Sequence, residues 1–173
     1  MALIHEKLYQ SRDFTEVNLF EYVESLLVQS EQSFRNFELH IKTYVDVDKK
    51  IKLDLDSAIS CGLIINELLT NAYKYAFPPE WANQKPKDFE FTITVQVINI
   101  IGKKYEMIVR DNGIGIDDNV DIENSTSLGL KIVSSMVKQL DGTVEISGKE
   151  GTEFKIIFER REKTNTSKNF SQL

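Results

Sequence analysis

The sequence predicts an α+β protein, a two-layer sandwich in which a mixed, largely antiparallel sheet is covered by three helices. Apolar residues recur every three or four positions in three separate stretches, and elsewhere they alternate with polar residues in about six short runs. The helical stripes are one-sided, so the helices can lie together on one face of a sheet. A chain of 173 residues, 41% hydrophobic and 28% charged, is long enough to bury one continuous core.

The elements follow in order. From Asn18 to about Phe37, Phe20, Val23, Leu27 and Phe34 keep helical spacing, and Asn18 with Glu21 three residues on has the form of a capping box. Leu39, Ile41, Thr43 and Val45 alternate, and Ile51, Leu53 and Leu55 do so again beyond the Asp46 to Lys50 cluster, which suggests a hairpin. A second helix, from about Asp56 to Ala76, is marked by Cys61, Ile65, Leu68, Ala72 and Ala76. Residues 78 to 88 hold all three prolines and the only tryptophan and read as a loop. Phe89 to Val97 and Tyr105 to Val109 alternate on either side of a Gly102 turn, as two antiparallel strands. Leu130, Val133, Val137 and Leu140 form the third helical stripe; Val144 with Ile146, and Phe154 with Ile156 and Phe158, supply the last two strands.

Three segments divide the chain. Residues 1 to 12 read as the end of a helix through Leu3, Ile4 and Leu8, residues 13 to 160 as the globular domain, and residues 161 to 173 as a mobile polar tail. The single cysteine, Cys61, lies in an apolar helical run, which fits a buried thiol and a reducing cytoplasm. No apolar run approaches the roughly 18 residues that cross a bilayer. The net charge of -6 argues against a broad nucleic-acid surface.

Three motifs carry chemistry. In the second helix, Glu67 and Asn71 lie four apart and Lys74 follows by three, so all three can converge on one ligand. A metal-bound phosphate chain suits them: Mg²⁺ takes one or two protein oxygens along with phosphate and water, and the Asn71 carbonyl can be one. Taken alone, the same residues would describe a solvated helix face. Next, Asp111-Asn112-Gly113-Ile114-Gly115 follows a strand directly. Its glycines let backbone approach a planar ligand, and the Asp111 carboxylate can accept from an exocyclic amine such as adenine's; as a fragment it also fits an ordinary turn. Finally, Ser127-Leu128-Gly129-Leu130 opens a helix whose free N–H groups form either an anion site or a plain cap.

In order and spacing these motifs resemble the N box and the two glycine boxes of the ATP-binding superfamily shared by gyrase, MutL and histidine kinases, with its Bergerat-type fold. The run Gln139 to Ile146, followed by Gly151-Thr152-Glu153-Phe154, is similar to the ending of the histidine kinase branch. Leu3 to Ser11 resembles the end of the second dimerisation helix in one histidine kinase subfamily. The resemblance implies ATP and Mg²⁺ as cofactors, Asn71 as metal ligand, Lys74 as a phosphate contact, Tyr75 packed near the base and Asp111 bonded to adenine. It implies that Gly113, Gly115 and Gly129, with Leu128 and Leu130 beside the last, shape the pocket. Thr152 would support the base with Asp111, and residues 112 to 127 would form a short lid. Glu67 departs from the asparagine of many histidine kinases, as in the gyrase branch, where a glutamate activates water; here it would act as a base or would orient a magnesium-bound water. A phenylalanine motif common in other lids is absent.

The implied partners are the protein's own dimerisation and phosphoacceptor domain and a response-regulator receiver domain. Neither His5 nor His40 lies in a motif like the phosphoacceptor sequence, so the chain reads as a kinase fragment without its acceptor. A stand-alone serine kinase of the anti-sigma-factor type, or an ATP-sensing interaction module without catalysis, are the alternatives.

Overall fold

The computed structural model describes residues 16–34, 39–117, 120–148 and 150–160. The expectations for residues 1 to 12 and 161 to 173 lie outside the described residues. Five strands form the main sheet: β2 (Ile41–Val47), β4 (Phe91–Ile101), β5 (Lys104–Asp111), β6 (Thr143–Ser147) and β7 (Glu153–Glu159), in the spatial order β2-β4-β5-β7-β6. The β2–β4 pair is parallel and the other three are antiparallel, so the sheet is mixed and largely antiparallel. The alternation of each strand sends one side chain in two to the same face: Ile93, Val95 and Val97, then Tyr105, Met107 and Val109, then Phe154, Ile156 and Phe158, all buried.

Helices α1 (Leu19–Ser33), α2 (Leu55–Asn71) and α4 (Leu128–Gln139) cover that face, with α2 packed between the other two. Their apolar stripes complete the core through Val23 and Leu26, Ile64, Ile65 and Leu69, and Val133 and Val137. Cys61 is fully buried in α2, where loss of solvent pushes its thiol pKa up and leaves it a small hydrophobe. The Asn18 cap forms as read, with its Oδ1 accepting from the Glu21 N–H at 3.3 Å. Helix α1 ends at Ser33 with Phe34 as its C-cap, short of the expected end near Phe37; residues 35 to 37 of the expected span lie outside the described residues. Residues 78 to 88 contain one short helical turn, α3 (Pro79–Ala82), started by a proline that needs no N–H there.

The hairpin expected across residues 39 to 55 does not form. Strand β2 pairs instead with β4, while β3 (Lys52–Leu53) pairs with β1 (Val17–Asn18) in a separate two-stranded sheet. The turn between them is real, with the Ile51 N–H on the Asp48 carbonyl at 3.0 Å, but the chain leaves it towards the entry of α1, where the Leu19 N–H donates to the Ile51 carbonyl at 3.1 Å. Alternation reports which face a residue takes and says nothing about its neighbour. Beyond β7, Arg160 pairs with Glu16 ahead of β1, so the two ends of the described domain meet.

Helix α2 carries the site, and its start rests on one side chain. Asp54 Oδ1 accepts from the Ser57 N–H at 3.0 Å and its Oδ2 from the Ser57 hydroxyl at 2.7 Å. Asp54→Ala is expected to lower unfolding free energy by about 0.5–2 kcal/mol in urea denaturation, at unchanged m-value.

Candidate functional site

The site lies where β5 ends. Tyr105, Met107 and Val109 face the helices, and the next residue in that phase is a carboxylate, Asp111, only 6% exposed. A buried carboxylate must be hydrogen-bonded. Asp111 Oδ1 accepts from the Gly113 N–H at 2.9 Å and the Thr152 N–H at 3.1 Å, and the Asp111 N–H donates to the Thr152 carbonyl at 2.9 Å. Burial nevertheless raises the carboxyl pKa above its ordinary value, against the pull of the Gly113 and Thr152 hydrogen bonds.

The turn after Asp111 runs against the end of α2. There the helix widens into a π turn over Ala72–Ala76, a form that occurs often at functional sites. The Ala76 carbonyl accepts from the Ile114 N–H at 2.9 Å. Gly113 is required by this approach, because a Cβ there would lie 2.2 Å from the Ala76 oxygen. The wider turn also rephases the helix. A turn closed by i→i+5 bonds holds more residues than the 3.6 of an α turn, so Tyr75 rather than Lys74 comes round to the side of Asn71. Tyr75 lines the cavity; the Lys74 ammonium lies 5.8 Å from the Phe34 ring centroid and is not among the lining groups.

Helix α4 closes the other side. Ser127 precedes it without a side-chain cap, and the first-turn N–H groups have no acceptor within the helix. Gly129 brings this turn onto α2, where a Cβ would sit 2.9 Å from Glu67 Oε2 and 3.9 Å from Asn71 Oδ1. A positive helix end, a carboxylate and an amide oxygen therefore meet in one corner.

Between these elements lies a cavity of about 240 Å³. Its apolar walls are Leu68, Ala72, Val109, Ile116, Leu130 and Phe154; Asn71, Asp111 and Thr152 are among its polar groups, with Gly115 and Ser127 at the loop side. Of the residues singled out in the sequence, Asn71, Tyr75, Asp111, Gly115, Leu130 and Thr152 line it. Gly113 shapes the turn behind it, Glu67 and Gly129 form the corner, and Leu128 is 74% exposed. The walls other than Leu130 are not singled out by the sequence, although Val109 and Phe154 share an alternating buried phase with the rows that lead to the site, and Leu68 and Ala72 lie in the apolar stripe of α2 and its end. Within the segment expected to form the lid, Asp121 Oδ1 accepts from the Glu123 and Asn124 N–H groups at 2.9 and 3.2 Å, and Ile122 is buried.

An apolar slot with one fixed carboxylate fits a flat heteroaromatic ring bearing an amine. The corner of oxygen donors beside a helix N-terminus fits a metal-bound phosphate chain. Sheet, slot and corner together define an ATP-binding domain of the two-layer α+β class. The chain belongs to the family described as histidine kinase-, DNA gyrase B- and HSP90-like ATPases, whose model matches residues 57–162.

Among its relatives, the sensor histidine kinase PdtaS of Mycobacterium tuberculosis is 30% identical over 146 residues, covering 83% of this chain and 27% of that protein. The sensor histidine kinase ComP of Bacillus subtilis is 32% identical over 107 residues, covering 62% and 12%. The chain thus spans about a quarter or less of the length of these curated relatives. The histidine kinase domain of a blue-light activated kinase from Erythrobacter litoralis shares the fold, with a TM-score of 0.71, 23% identity and coverage of 88% of this chain and 70% of that one.

The raised pKa of Asp111 has a consequence for stability. A carboxyl whose native pKa exceeds its unfolded value costs stability once ionised. That cost is complete above the native pKa and disappears as pH falls below the unfolded value of about 3.9. Asp111→Asn keeps an acceptor for both N–H groups, so it is expected to match or exceed the parent's melting temperature at pH 7. The difference should shrink towards pH 4 in paired thermal scans.

Proposed function

We propose that this chain is the cytoplasmic catalytic domain of a two-component sensor histidine kinase, which binds Mg-ATP and transfers its γ-phosphate to a histidine on a dimerisation helix. A response-regulator receiver domain would then take the phosphate from that histidine. One observation carries the reading: Asp111, a buried carboxylate oriented by two backbone N–H groups, lines an apolar slot in a member of this ATPase family. The named relatives are sensor histidine kinases, which supports this reading over the serine kinase.

Asp111 accepts the exocyclic amine of adenine, and Thr152 flanks it. Leu68, Ala72, Val109 and Phe154 enclose the ring, and Tyr75, 66% exposed, covers its open side. The α4 first turn from Leu128 to Leu130 presents N–H groups to phosphate oxygens. Asn71 would hold the metal through its amide oxygen, and Lys74 would reach the phosphates by leaving the Phe34 ring, a cation–π contact worth only about 0.5–1 kcal/mol at an exposed site. Bound Mg-ATP supplies the transferable phosphoryl group and the divalent charge that offsets its negative oxygens. Glu67 would orient a water bound to the metal rather than remove a proton, since a neutral histidine is already nucleophilic and phosphoryl transfer depends mainly on positioning and charge.

Calorimetry is expected to show Mg²⁺-dependent ATP binding, weakened about tenfold or more by Asp111→Ala, as the loss of about 1–3 kcal/mol at a buried polar site requires. No heat and no thermal shift at millimolar ATP would reject the assignment. In a full-length kinase, Glu67→Gln is expected to keep ATP binding and to lose less than about a hundredfold in histidine phosphorylation, the lower edge of general-base effects. Complete loss of transfer with binding intact would instead make Glu67 the base.

A further inference from the structure

Asp111 is the last residue of β5 that pairs with a neighbouring strand, opposite Ile93. One residue later the backbone must do two incompatible things. It must turn inwards, so that the Gly113 N–H meets Asp111 Oδ1 and the Ile114 N–H meets the Ala76 carbonyl. It must also keep the entry of β4 bonded, because an unpaired N–H or carbonyl beside the sheet is costly. The side chain of Asn112 resolves the conflict. Its Oδ1 accepts from the Thr92 N–H at 2.8 Å, its Nδ2 donates to the Glu90 carbonyl at 2.8 Å, and its own N–H donates to the Thr92 carbonyl at 3.2 Å. The amide thus stands in for the next rung of the sheet, and the main chain is free to leave.

We infer that Asn112 is a positioning residue for base selection: its side-chain amide, clamped to Glu90 and Thr92, sets the turn that aims the Asp111 carboxylate into the cavity. This rests on the proposed reading of Asp111 as the acceptor of the adenine amine. One of the two N–H groups holding Asp111 Oδ1 belongs to Gly113, the residue directly after the clamp. Thr152 holds the same oxygen from β7's side. Without the Asn112 clamp, the Thr152 N–H remains and the Gly113 N–H loses its fixed direction, so the carboxylate stays buried but can rotate. Such a rotation weakens the discrimination between adenine, which offers an amine, and guanine, which offers an oxygen at that position, more than it weakens contacts with the phosphates. Serine restores an acceptor on a shorter arm but not the donor to Glu90, and aspartate keeps the acceptor and replaces the donor with a charge facing a carbonyl.

The test measures dissociation constants of Mg-ATP and Mg-GTP by calorimetry for the parent, Asn112→Ala, Asn112→Asp and Asp111→Asn, with melting temperatures alongside. The parent is expected to favour ATP, and Asn112→Ala to reduce the GTP-to-ATP ratio of dissociation constants about tenfold. Asn112→Asp is expected to fall between them. In the Asp111→Asn background, Asn112→Ala should change the ratio no further, because both act through one carboxylate. A parent without preference for ATP would overturn the reading of Asp111 itself. A parent that prefers ATP, with Asn112 variants that melt lower yet keep the full ratio, would leave that reading standing and overturn the role of Asn112. Should Asn112→Ala not fold, Asn112→Asp decides alone: an unchanged ratio rejects the inference and a reduced one supports it.

Discussion

A sheet with one apolar face has to be covered, and here three helices do so without reaching its end. The buried rows of β4, β5 and β7 run beneath α1, α2 and α4 until, at the close of β5, the helices part and the row finishes on Asp111. Everything distinctive about the site follows from that shortfall. Leu68 and Leu130 from the helices face Val109 and Phe154 from the sheet across the cavity, and Asp111 keeps its place in the apolar phase of β5. The cavity is therefore a continuation of the core, and burial there raises the Asp111 carboxyl pKa.

The backbone on either side of that carboxylate is arranged by competition for hydrogen bonds. Thr152 takes it from β7, Gly113 from the turn, and the Ala76 carbonyl holds the turn through Ile114. The π turn belongs to the same arrangement, since it leaves α2 ending with Ala76 against Gly113 and with Tyr75 over the slot. One extra residue in a helical turn thus places Tyr75 at the entrance and leaves Lys74 beside Phe34.

What could be read beforehand was whatever depends on period. The three stripes, the alternating strands and the Asn18 cap all appear, because burial against one surface imposes the spacing that reveals them. The partner of a strand carries no such signature. Thr43 and Val45 alternate identically whether β2 pairs with residues just beyond it or with β4, so the hairpin across residues 39 to 55 was a reasonable reading that tertiary packing overrode. The two-residue strands β1 and β3 are too short to show a period. The site was legible in its polar members because they cluster in motifs, and less so in its walls, which look like any other core residue. The convergence of Lys74 with Glu67 and Asn71 assumed an unbroken 3.6-residue period, and the π turn breaks it at Ala72.

The parallel pairing of β2 with β4 separates the sheet into parts of unequal durability. Ile41 stands opposite Phe91, fifty positions further along the chain (91 − 41), whereas β4 and β5 meet across a tight loop at Gly102. Closing so long a span costs chain entropy before any contact repays it, and an edge strand has only one neighbour to hold it. Residues lining the cavity come from α2, the π turn, β5, α4 and β7, and none comes from β2. Opening of that edge would therefore remove no residue from the cavity wall. The edge is still tied to the rim of the slot, because the Thr43 hydroxyl and the Tyr73 hydroxyl of the π turn lie 2.8 Å apart, so amide exchange along Ile41–Val47 reports on the π turn from outside the cavity.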